Sequence, residues 1–127
     1  MSLTSAQIDY AKTQNAGQDI RFIDADDTTE LNYEIEKWDE AGTSFVRVKV
    51  PQIDGSSNTD HIWIYCNNAS ATDNQNVAGT WSNGYAGVWH LDEATDATNI
   101  DSTINANDGT PIGSPVAVTG QIAGALD

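Results

Sequence analysis

Two acids, Glu34 and Glu36, sit at i and i+2 beside Lys37, the spacing that sets two carboxylates on one side of a strand. Paired carboxylates at short separation are the working groups of glycoside hydrolysis. The plainer reading is a wetted strand face carrying its own countercharge, and the expectation is no catalytic residue. Asp24, Asp26 and Asp27 crowd one turn and could offer oxygen ligands to calcium. The spacing opens like a calcium loop, but Thr29 stands where a glycine is needed and Ile35 where the closing glutamate belongs. An Asp-rich turn bonding its own amides accounts for the pattern equally well. Calcium is therefore the one cofactor the residues leave open, and no metal ligand set is assigned. His61 and His90, the only histidines, have neither metal spacing to one another nor a nucleophile motif beside them. Gly17, Gly42 and Gly55 are isolated turn glycines rather than parts of a phosphate loop.

The aromatic residues carry more. Trp38, Trp63, Trp81 and Trp89 stand with Tyr10, Tyr33, Tyr65 and Tyr85 in an acidic chain. Sugars offer C–H faces that stack on such rings, while acids and amides bond their hydroxyls. Trp63, Tyr65, Trp81 and Trp89 are the candidate ligand-binding residues. Trp63 and Tyr65 lie opposite Ile62, Ile64 and Cys66 in an alternating run, so one side is core and the other is either a platform or a second packed layer. Burial in the core is the competing reading for all four.

These residues need strands to position them. Asp19–Phe22, Leu31–Glu36 and Phe45–Val50 alternate polar with apolar, and the last puts Val46, Val48 and Val50 opposite Arg47 and Lys49. The linkers 25–29 and 39–42 are polar turn sequences too short for a parallel crossover, which predicts antiparallel hairpins in a meander. A fourth strand runs from His61 to Cys66 after an Asp54-Gly55 turn, and a fifth from Tyr85 to Leu91. The segment 4–14, capped by Thr4 or Ser5 and stopped by Gly17, predicts one short N-terminal helix. A polar connector over 67–76 leads to a boundary near Gly79. The fold class expected is all-β: an antiparallel β-sandwich, jelly-roll-like, with one short N-terminal helix.

Composition narrows the partners. Five Lys and Arg oppose 19 Asp and Glu, a formal charge of −14 in 127 residues. Such a surface repels phosphate backbones and anionic membranes, so no nucleic acid is expected as partner. No apolar run reaches the length of a membrane-spanning helix, so no membrane insertion is expected. Cys66 is the only cysteine, which rules out an intrachain disulfide.

Two groups of motifs resemble known domains. "GQDIRFIDADDTTELNYEIEKWD", "FVRVKVPQI" and "DHIWIYCNNASAT", within about residues 3–72, resemble a bacterial domain of unknown function. That domain occurs in large exported proteins and beside proton-channel components of the MotA/TolQ/ExbB type. The chain departs from that pattern at Cys66, Asn67 and Ala69; Asn67 keeps the left-handed tolerance that glycine would supply. "YAGVWHLDE … DSTINANDGT … GQIAGALD" is similar to the opening of a laminin-G-like, concanavalin-type domain. The resemblances imply a β-sandwich module over 1–78, lacking its first strand, and the beginning of a laminin-G-like domain over 79–127. They imply a non-catalytic extracellular or cell-surface module of a larger bacterial protein, with a glycan or surface protein as partner. A structural spacer without a ligand and a fragment of a glycoside hydrolase are the alternatives. A sandwich short of a strand exposes an edge, so self-association through that edge, or its filling by the 85–91 strand, is expected.

Overall fold

The structure, a computed structural model, describes residues 1–127, which form two compact units, Met1–Asn76 and Val77–Asp127. In the first, β3 (Tyr33–Lys37) and β4 (Ser44–Val48) form an antiparallel hairpin around the polar turn 39–42. Asp39 closes that turn by accepting the Ala41 amide, and its own amide donates to Ser44 Oγ at 2.9 Å. Tyr33 faces Val48 and Ile35 faces Val46, so the apolar alternation read in the sequence becomes one apolar face. A bulge between Ile35 and Lys37 shifts the register at the strand's end. β1 (Ser2–Leu3) pairs with the other side of β4, giving the order β1-β4-β3.

The first expected strand does not extend this sheet into a meander. Overlapping it, β2 (Arg21–Ile23) makes an antiparallel ladder with β5 (Trp63–Tyr65) and meets the chain before β3 at the single Ile23–Glu30 bridge and an Arg21–Glu30 ion pair. The reason is local: the Asp-rich turn closes with Asp24 N–H to Thr29 O and Leu31 N–H to Phe22 O, both 2.8 Å, and the two arms then diverge. All strand pairs are antiparallel.

One core joins both sheets. Leu3, Tyr33 and Val46 from the three-stranded sheet, and Phe22 from the two-stranded one, are buried with Ile8, Ile20 and Leu31. Ile62, Ile64 and Cys66 pack against it from one side of the β5 run. Tyr33 crosses the core edge-on to Phe22, with centroids 5.3 Å apart, and its hydroxyl donates to Ile20 O at 2.8 Å. Its polar end is thereby satisfied inside an apolar cluster.

The N-terminal helix expected over 4–14 is absent. Thr4 O closes one turn by accepting the amides of Gln7 and Ile8, and the chain then restarts at Asp9. Asp9 has extended backbone and uses its side chain to cap Ala11, so only the 3-10 turn Tyr10–Lys12 follows. A side chain that competes for backbone amides inside a short segment is enough to defeat a marginal helix. Tyr10 is fixed instead by tertiary bonds, donating to Leu3 O and Ser44 Oγ.

The connector 67–76 runs along the outer edge of β3. Asn76 donates to Tyr33 O at 3.1 Å, Gln75 Oε1 accepts the Ile35 amide, and Asn74 Nδ2 reaches Glu30. That edge is therefore engaged within the chain. Asn67 has φ of 77°, the left-handed conformation its residue type tolerates.

The second unit holds a single helical turn, α1 (Val77–Thr80), and a hairpin of β6 (Ala117–Thr119) with β7 (Gly124–Leu126). The strand expected over 85–91 is reduced to one bridge, Trp89 to Asp101. Side-chain amides explain it. Asn105 and Asn107 take the carbonyls of Tyr85 and Ala86 that a ladder would have used. Left-handed Leu91, φ 59°, then turns the chain away.

Candidate ligand-binding site

β5 turns Ile64 into the core and leaves Trp63 and Tyr65 on the opposite side, 44% and 48% exposed. Two residues apart on one strand, the rings stand about 7 Å from each other along the chain. Both are held. The Tyr65 hydroxyl donates to Asp27 Oδ1 at 2.5 Å, and Trp63 meets the His61 ring edge-on at 5.0 Å between centroids. The hydrogen bond to Asp27, followed by burial, pushes the Tyr65 phenol above its ordinary value.

Asp27 reaches Tyr65 because of the turn beneath it. Asp26 accepts the amides of Thr28 and Thr29 and the Thr29 hydroxyl, which holds its carboxyl well below the usual range and locks the turn. Asp27 itself is left-handed, φ 55°. Asp24 accepts the Ala25 amide. The three acids thus serve three different partners, and no group of three or more His, Cys, Asp or Glu gathers in metal-binding geometry.

Beside this face lies a cleft of about 360 Å³. Asp24 and Ala25 form one wall, and Val50, Gln52, Ile53, Asp54, Asp60, His61 and Ile62 the others. It is apolar at Val50, Ile53 and Ile62 and carries three carboxylates. His61 belongs both to the cleft and to the Trp63 ring contact, so the cleft and the aromatic pair share that residue. None of the protein's Lys or Arg side chains lines it.

Glu34 and Glu36 form no open acid pair. Glu34 is buried opposite Arg47 in the β3–β4 register, and Arg47 Nε sits 2.5 Å from Glu36 Oε2. The guanidinium on Glu36 uses the charge that general acid–base work would need, and Glu34 is buried away from solvent.

In the second unit, Trp81 is half-buried and meets Tyr85 at 5.4 Å and His90 at 5.9 Å. Trp89 is 44% exposed, lies across Gly87 and donates from Nε1 to Asn107 O at 3.0 Å. The candidate aromatics therefore fall as Trp63 with Tyr65 in one unit, and Trp81 and Trp89 in separate settings in the other.

Two buried aspartates had no role in the sequence reading. Asp19 accepts the amides of Gln14, Asn67 and Asn68, which tie the 14–19 loop to the end of β5. Burial pushes its carboxyl up, and those three amides more than offset it, leaving a lowered value. Asp101 accepts the amides of Val88, Thr103 and Asn107 and the Thr103 hydroxyl. There too burial raises and the donors prevail, holding the carboxyl down at about 2. The Asp-Ser-Thr order at 101–103 was the available signal, since Asp bonds the amide two residues on. For Asp19 no local signal existed, because two of its donors are about fifty residues away.

A family model described as a domain of unknown function (DUF2341) matches residues 16–108, well over half of the chain. The chain belongs to this family. The DUF2341 match runs past the β5 site and through Trp81 and Trp89 to Asp108, so it takes in the first group of motifs and the opening of the second, and stops short of Gly120–Asp127. No curated protein and no solved structure matches the chain.

Proposed function

We propose that this DUF2341 domain is a non-catalytic carbohydrate-binding module, with Trp63 and Tyr65 as the stacking platform. The single observation that carries the reading is their exposure on one side of β5, each ring fixed by a neighbour. Rings already held in place lose little conformational freedom on binding. Sugar C–H faces stack on such rings, and the carboxylates of Asp24, Asp54 and Asp60 in the adjoining cleft are acceptors for hydroxyls. The two sheets around one core are the two layers of a jelly-roll-like sandwich in this reading, and residues 79–127 the opening of a laminin-G-like region. The module works outside the cell, as part of a larger bacterial surface or secreted protein. Trp81 and Trp89 are secondary candidates for a separate contact within the second unit.

A glycan array on the 127-residue protein, followed by tryptophan-fluorescence titration of the hits, tests this. Trp63→Ala is expected to abolish saturable binding, and Tyr65→Ala to weaken it. Equal binding by Trp63→Ala, or an array with no hit, would leave the spacer reading in its place.

A further inference from the structure

We infer that the outer edge of β5 is a docking edge for an extended, lysine- or arginine-bearing segment of a partner protein, which adds to the β2–β5 sheet as a third strand. Backbone direction is the first ground. Leu31 N–H bonds Phe22 O, so the polar groups of Phe22 point toward the 29–31 arm and away from β5. Antiparallel pairs alternate between bonded and non-bonded. The pairs Arg21–Tyr65 and Ile23–Trp63 are consequently the bonded ones, and Phe22–Ile64 is the non-bonded one. The N–H and C=O of Ile64 then face away from β2, where no strand lies, since this sheet has only two. A third strand would take both groups.

Contrast with the other free edge sharpens the point. The outer side of β3 is taken by Asn76 and Gln75 of the connector, whereas nothing in the chain does this for Ile64. Strand edges left open in this way pair with another chain.

Charge selects the occupant. The cleft at the start of β5 carries Asp24, Asp54 and Asp60 with apolar Ile53 and Ile62 and no basic side chain. Lysine or arginine, with a long apolar stem and a cationic head, matches that lining. A second copy of this chain, at −14 like the first, would meet its own charge across the edge.

The test is amide hydrogen exchange on the wild-type protein with a short synthetic peptide of alternating lysine and threonine. In the free protein the Ile64 amide is expected to exchange fast, while the bonded Trp63 and Tyr65 amides are protected. Adding the peptide should slow Ile64 by about tenfold or more, and an alternating glutamate–threonine peptide should not. Ile64→Pro removes the outward N–H and leaves the β2 ladder donors in place, so it should lose peptide binding with Trp63 and Tyr65 still protected. Asp54→Asn with Asp60→Asn should weaken the lysine peptide about two- to fivefold. Trp63→Ala should leave the Ile64 protection intact, which separates this edge from the sugar platform. An Ile64 amide already protected in the free protein, or unmoved by the lysine peptide, would overturn the inference. So would protection that rises with protein concentration alone, the result expected of a second copy.

Discussion

At the scale of single residues, the fold depends on carboxylates that bind backbone. Asp19 and Asp101 each gather three amides from different segments, and an amide left buried without an acceptor costs about 1–3 kcal/mol. Asp19→Ala should accordingly lower the urea midpoint strongly, whereas Asp9→Ala, which frees one exposed cap and one exposed ion pair, should move it little. The Asp101 carboxyl is lower in the folded than in the unfolded chain. Its contribution is thus fully present above the ordinary aspartate range, near pH 4, and is lost as pH falls toward about 2. Thermal midpoints measured from pH 5 to pH 2 should fall less steeply in Asp101→Asn, which starts lower but no longer titrates there. Gly17 is the other sensitive position. It has φ of +69°, and an added Cβ would lie 2.8 Å from the Trp38 ring. A left-handed alanine alone costs about 1–2 kcal/mol. Gly17→Ala should exceed that because Trp38 must also move, and a denaturation curve matching wild type would contradict the geometry.

At the scale of elements, alternation was readable and partnership was not. Val46 buried opposite Arg47, and Ile64 packed inward opposite exposed Trp63 and Tyr65, follow from a period of two in the sequence. That β2 would choose β5 over β3 does not follow, because pairing across about forty residues leaves no local trace. The helix over 4–14 failed for a reason visible only with side chains placed, namely Asp9 capping Ala11. The strand over 85–91 failed because Asn105 and Asn107 hold its carbonyls, again a distant contact. The Trp63–Tyr65 platform was readable as a pair, but the Asp27 and His61 contacts that fix it needed the structure. Since both rings are outside the core, Trp63→Ala and Tyr65→Ala should each change unfolding free energy by no more than about 0.5 kcal/mol. Calorimetry on the same variants used for binding checks that the platform is dispensable for folding.

For the whole molecule, charge and subdivision set the behaviour. A surplus of 14 negative charges repels itself, and salt screens that repulsion within a Debye length of about 10 Å at 0.1 M. The melting temperature should rise with added sodium chloride, and a flat or falling dependence would show that the acids are individually compensated. Belonging to DUF2341 places residues 16–108 in one family, while contact density separates the chain at 76/77. Cys66 offers a way to watch those units apart. It is half-buried against the core, and burial, followed by the nearby Asp19 charge, pushes its thiol up. Because thiolate is the reactive form, iodoacetamide should label the native protein far more slowly than free cysteine. The sole sulfhydryl belongs to Met1–Asn76, so its alkylation clock times the opening of that half alone, with no tag or engineered label required.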